Sequence, residues 1–312
     1  MTTSPRSQRS ERPQDTMAEA AAGLLAGLRE KDRVTARIPF DNTELRHRFS
    51  YLPRLHSGLS LSGMPQINRK AVMRLLATAL SPIGYSKAVA VMGLEELLDR
   101  QEDWRKRRHV LDYWVAVFGE PGAAPWGWRF EGHHLSVTMT ITDQGIATTP
   151  LFLGAHPARV EGPTGPVLAP LGDEDELGLA LLAALPPDLV DKARVSVQAP
   201  ADIHSGASPH FTETIKPQGL AAEEMPGEAR ILLGRLVDCY DSVLNPDVLA
   251  AQPERQTGTS GLHFAWEGPV DGSGPRYYRV QGRRLLIEYS LTTGLAGHVH
   301  SVRRVPGLDF GA

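Results

Sequence analysis

At Tyr113 the spacing of apolar residues along this 312-residue chain changes from helical to alternating, and that switch sets the class of fold. Before it, apolar side chains recur at i, i+3 and i+4. The Ala/Leu-rich stretch from Met17 to about Lys31 predicts a helix. Gln66 to Ala79, with Val72, Leu75, Leu76 and Ala79 on one stripe, predicts a second. Tyr85 to about Glu102 predicts a third, set off by Ser81-Pro82-Ile83-Gly84. Between Phe40 and Gly63 the pattern loosens and suggests a short hairpin. After the switch, Tyr113–Phe118 reads as a strand. Trp128 to Thr142 reads as one long strand, with Val137, Met139 and Ile141 on one side and Ser136, Thr138 and Thr140 on the other. Thr148 to Gly154 is a third.

Two later helices are expected. One runs from Leu171 through Leu185, its acidic first turn suited to the positive end of the helix dipole. The other runs from Glu223 to Tyr240. Residues 199–219 read as an irregular loop. Leu262–Glu267, Tyr277–Gln281, Arg284–Ser290 and His298–Arg303 close the chain as strands. No internal repeat is apparent. The expected class is α+β: a helix-rich part (16–110) packed on a largely antiparallel sheet built from middle and C-terminal segments (111–312). These form a single domain behind a disordered tail at 1–15.

Composition narrows the function classes. A formal net charge of -3 gives no basic surface for nucleic acid. Arg105-Lys106-Arg107-Arg108 is read as a solvated helix end. No apolar run reaches the roughly 18 residues of a membrane span, and no leader pattern opens the chain. The one cysteine, Cys239, lies in an apolar helical run and reads as a small buried hydrophobe. A cytoplasmic protein with a small-molecule substrate is expected. Gly-x-Ser-x-Gly, Walker, His-Glu-x-x-His and Rossmann patterns are all absent.

The histidines carry the chemistry. His298 and His300 form a His-Val-His triplet in a strand, so both imidazoles face one side and can approach one ion. His133 and His134 are adjacent, so on a strand they face opposite ways; His134 is favoured as the third ligand, with His133 next or as a supporting donor. Glu288, a charge inside an apolar strand, is either a salt-bridged residue or a fourth ligand or general base. The remaining histidines, among them His56, His156, His204 and His210, read as surface or satisfied core residues.

Several ordered motifs resemble the bacterial and plant family DUF3500, a domain of unknown function. They are Trp128-Arg-Phe-Glu-Gly-His-His-Leu-Ser136, Thr149-Pro-Leu-Phe-Leu-Gly-Ala155, Phe264-Ala-Trp-Glu-Gly268, Tyr277-Tyr-Arg-Val-Gln-Gly282, Leu286-Ile-Glu-Tyr289 and His298-Val-His-Ser-Val302 through Asp309-Phe-Gly311. Pro53-Arg54 with Gly58-Leu59, then Gln66, and Leu80-Ser81 with Gly84-Tyr85, fit as well. The resemblance implies that both histidine pairs belong to a shared pattern. The chain departs from it at Ser290-Leu291, where Asp-Asn is usual, and at Arg276, Arg303 and Val305, which replace His, Trp and Asp. Those changes suggest a specialised branch in secondary metabolism.

The expectation is a mononuclear metalloenzyme. His298, His300 and His134 or His133 would hold a divalent transition metal, copper or iron, with zinc as the alternative. Glu288 and Arg304 would act in catalysis, with Arg54, Gln66 and Tyr277 on an anionic substrate. An aromatic pocket of Trp126, Trp128, Phe130 and Tyr277 inclines the reading to O₂-dependent oxidation over zinc hydrolysis. A binding module without catalysis is the rival class.

Overall fold

The structure, a computed structural model, describes residues 12–209, 211, 216–253, 255–292 and 297–311. The first half runs α1 (Pro13–Gly27), α2 (Glu30–Ala36), β1 (Arg37–Ile38), α3 (Thr43–His47), β2 (Leu59–Ser60), α4 (Gln66–Ala79), α5 (Pro82–Gln101), β3 (Tyr113–Phe118), β4 (Trp126–Gly132), β5 (Leu135–Thr142), β6 (Gly145–Ala147) and β7 (Leu151–Ala155). A small hairpin, β8 (Val160–Gly162) and β9 (Gly165–Leu168), leads out of it. The second half runs α6 (Gly172–Ala183), α7 (Pro187–Ala193), β10 (Arg194–Ser196), β11 (Leu220–Ala221), α8 (Gly227–Asp241), α9 (Pro246–Ala250), β12 (His263–Glu267), β13 (Arg276–Gly282), β14 (Leu285–Thr292) and β15 (His298–Arg304). The class is α+β, with one large, mostly antiparallel sheet.

The strand order is β1-β3-β4-β5-β7-β15-β14-β13-β12-β10, which reads the same from both ends once the halves are matched. β1 and β10 each follow a short helix and pair in parallel with β3 and β12; β2 and β11 pair antiparallel with the same two strands. Arg37 lies opposite Val117 as Arg194 lies opposite Trp266. The pseudo-twofold axis passes between β7 and β15, at the pairing of Leu151 with Arg303. It also passes between the helical layers, where the Ser81 N–H donates to Val243 O at 3.0 Å and the Asn245 N–H to Ala79 O at 2.9 Å.

The expectation of no repeat is therefore corrected. The matching segments share few side chains: Gly58-Leu59 through Met64-Pro65 with Gly219-Leu220 through Met225-Pro226, and Arg129-Phe-Glu-Gly132 with Arg279-Val-Gln-Gly282. Backbone geometry holds the glycines in place. Gly58 (φ 100°) and Gly219 (φ 90°) are left-handed, and a Cβ at either would strike a carbonyl oxygen, that of Val115 or of Phe264.

The sheet has two unlike faces. Tyr113, Val115, Val117, Trp126, Trp128, Phe130, Val137, Met139, Ile287, Val280 and Trp266 point one way and form the main core under the helices. The alternate positions carry Arg129, Glu131, Ser136, Thr138, Glu288, Arg279 and Arg304, all buried. Irregular segments cover this polar face, with Phe49, Tyr51, Phe152, Ile203, Val302 and Phe310 as a small apolar cluster of their own.

Three local expectations change. The first helix starts at Pro13, inside the expected tail; residues 1–11 lie outside the described residues. Phe40–Gly63 holds α3 and β2 rather than a hairpin, because β2 finds its partner in β3. The long strand Trp128–Thr142 is two strands, β4 and β5, turning back at His133-His134, where His134 takes φ 62°. Gln66–Ala79 and Tyr113–Phe118 stand as expected.

Candidate metal centre

The β4–β5 turn places His133 and His134 at the end of the central strands. The His134 N–H donates to Tyr51 O at 3.1 Å, and its carbonyl accepts from the Gly154 N–H at 2.7 Å, so the turn is clamped from both sides. Gly154 also makes room for the ring: a Cβ there would lie 2.9 Å from His134 Cδ2. Gly154 pairs with His300 on β15, and that register brings the two histidine sets together.

His134, His298 and His300 form a group that can hold a metal ion, each offering one ring nitrogen, all within 4.8 Å of one another. His134 Nε2 lies 2.7 Å from His298 Nε2. With metal–nitrogen bonds of about 2.0–2.1 Å, two neighbouring ligand atoms stand roughly 3 Å apart, so the spacing suits two edges of one coordination sphere. His300 Nδ1–H donates to Asp202 Oδ1 at 2.6 Å, which leaves its Nε2 as the free lone pair. Asp202 in turn accepts from the Tyr51 hydroxyl at 3.2 Å, and Tyr51 stacks on Phe152 with centroids 4.0 Å apart.

Electrostatics keep His134 and His298 neutral. Burial pushes His134 well below the ordinary histidine value, and the neighbouring imidazoles push it further. Burial pushes His298 down to about 3, and lowers His156 as well. Burial acts to raise the Asp202 carboxyl, but its contact with His300 outweighs that and holds the group below its usual range. Converging neutral imidazoles are what a divalent ion needs, since a protonated ring has no lone pair to give.

A second group adjoins the first. His133 stacks on His134 with centroids 3.6 Å apart, and its Nδ1 lies 2.5 Å from Glu95 Oε1. Glu95, His133 and His134 are all buried and also lie within ligating distance of one another. The adjacent histidines thus share one side, because the turn breaks strand alternation.

The protein-family model for a protein of unknown function, DUF3500, matches residues 10–312. The chain belongs to the DUF3500 family. No curated protein and no solved structure matches it.

Other residues singled out in this DUF3500 chain fall elsewhere. Glu288 is fully buried on the polar face, but its oxygens accept from the Tyr277 hydroxyl (2.8 Å) and from the His204 and Ser205 N–H groups (2.7 and 3.2 Å). It anchors the segment that carries Asp202 and is absent from both ligating groups. Tyr277 is occupied by the same bond. Arg304 is buried against Asp309 at 2.7 Å and Ser208 O at 2.6 Å, so its charge is already matched. Gln66 is exposed at the start of α4. Arg54 is exposed and lines a cavity with His133. The expected aromatic wall does not form: Trp126, Trp128 and Phe130 turn into the helix-covered core, and Tyr277 stands on the opposite face. Cys239, half-buried on α8, has its thiol pushed up to about 12 by burial.

Sequence reasoning missed three residues. Asp202 lay in a run without period. Glu95 lay on a helix with no local sign of a histidine partner. His156, set aside as isolated, stacks on His298 with centroids 4.7 Å apart. His204 Nε2 meets Glu267 at 2.8 Å, which raises its pKa, and His210 lies outside the described residues.

Proposed function

We propose that this protein is a mononuclear metal-dependent enzyme acting on a small anionic molecule. The observation that carries the reading is the convergence of His134, His298 and His300 with the outer nitrogen of His300 fixed by Asp202. A carboxylate behind a ligating histidine sets its tautomer and raises its basicity. Three neutral nitrogens without a carboxylate favour copper or zinc over iron.

Of the two, copper binds nitrogen sites more tightly, and it would supply O₂-dependent oxidation. Zinc is the second reading, favoured by the likeness of a three-histidine set with a supporting carboxylate to water-activating centres. In either case the chain's own task is the same. Tyr51 and Asp202 hold His300 in place, the β4–β5 turn holds His134, and burial keeps His134 and His298 deprotonated.

Elemental analysis of the purified protein beside a His298→Ala/His300→Ala variant tests this. Near-stoichiometric copper lost in the variant supports oxidation and an O₂-consumption assay; zinc lost in the same way supports hydrolysis. Asp202→Asn is expected to weaken metal affinity about 10–100-fold. A protein that neither retains nor takes up metal removes the reading and leaves a ligand-binding module.

A further inference from the structure

Next to His133 lies a cavity of about 640 Å³ that His133 lines and His134 does not. Arg54, Lys106, Arg107, Arg108, Trp114 and His133 line it, with Glu95 and Asp112. Of the two acids, Glu95 meets His133, and Asp112 accepts only the His109 N–H among the described residues, at 3.1 Å, so one carboxylate stands against three cations. Arg108 is engaged too, donating to both oxygens of Glu102 at 2.7 and 3.1 Å and reaching His133 Nδ1 at 3.3 Å. The other three cations are not matched. The Arg54 side chain makes one bond, from Nε to Ser50 Oγ at 3.1 Å. Lys106 and Arg107 make no hydrogen bond or ion pair among the described residues; Lys106 feels Glu102 only at longer range. The segment that carries them is held in an unusual backbone, with Asp103, Trp104 and Arg107 at φ 55°, 54° and 54°. Left-handed non-glycine residues cost energy and cluster where a ligand is clamped.

We propose that this cavity binds a planar substrate bearing an oxyanion, its carboxylate or phosphate held by Arg54, Lys106 and Arg107 and its ring against Trp114. The inference deepens the metal reading by giving its substrate class: His133, the inner wall, is one stacked ring from His134. Guanidinium groups fork onto both kinds of anion, so the head-group chemistry is shared.

The test is titration calorimetry on the full chain with benzoate, phenyl phosphate and the uncharged benzamide. Benzoate or phenyl phosphate binds, more weakly as salt rises, and benzamide does not; the tighter of the two anions identifies the head group. Arg54→Gln/Arg107→Gln weakens anion binding by about tenfold or more, with circular dichroism unchanged because both side chains are exposed. His298→Ala/His300→Ala keeps anion binding, so this proposal and the metal reading fail separately. Benzamide binding as tightly as benzoate, an unchanged constant in the arginine variant, or no anion binding would each overturn it.

Discussion

Where the first half turns from β4 into β5 with His133-His134, the second turns from β13 into β14 with Arg283-Arg284. The same register sets Glu131 against Gln281 and Thr138 against Glu288. Thr140 pairs with Ala147 and Thr142 with Gly145 as Ser290 pairs with His300 and Thr292 with His298, so Ala147 and Gly145 occupy the first-half positions that match His300 and His298. Among the described residues, the duplicated scaffold thus carries one histidine cluster, not two. The cluster also belongs to neither half. His134 comes from the first and His298 and His300 from the second, and they meet because β7 and β15 pair across the axis. Ion pairs cross the same boundary: Lys87 meets Glu174 at 2.5 Å in a buried contact.

The largest expected effect comes from exchanging the turns' chemistry. His134→Arg puts the second half's residue type into the first and is expected to abolish metal binding. Arg284→His is expected to create no second site, because Gly145 and Ala147 offer no imidazole. Metal content of both variants checks this; a second equivalent of metal in Arg284→His would break the comparison.

The backbone comparison is sharpened by Gly58→Ala and Gly219→Ala. Each forces a Cβ onto a carbonyl oxygen at positive φ, and each is expected to cost about 1–3 kcal/mol in urea unfolding. Clearly unequal costs would show that the halves are not mechanically equivalent.

The smallest effect is a pH dependence confined to the histidine end. His134, His156 and His298 are depressed from 6.5 by burial, His298 to about 3. In the unfolded chain they take up protons that the folded protein refuses. Their contribution to stability is therefore full above about pH 6.5 and falls as pH drops toward 3. The Tm of metal-free protein is expected to fall between about pH 7 and about pH 5, and less steeply in His298→Gln. An unchanged slope in that variant would show that His298 is not depressed.

Much of the scaffold was legible because periodicity reports which side of an element is apolar. The stripe on Gln66–Ala79 and the alternation in Tyr113–Phe118 needed no partner to be read. The β4–β5 turn was not legible, since His-His carries none of the glycine or asparagine that marks a hairpin. The duplication escaped because its halves share backbone requirements more than side chains. His298 and His300 were paired correctly from spacing alone. Their neighbours were not, because Asp202, Glu95 and His156 reach them across long stretches of chain.

By itself the sequence determined the α+β class, the membership in DUF3500 and the strand face that His298 and His300 share, since each follows from local order along the chain. Only the tertiary structure decided that the aromatic residues of β4 line the core rather than the site. It alone set Glu288 to anchoring a segment and brought Asp202, Glu95 and His156 to the histidines. Those outcomes depend on strand register and on which face the helices cover, and both are fixed by packing between segments that lie far apart in sequence.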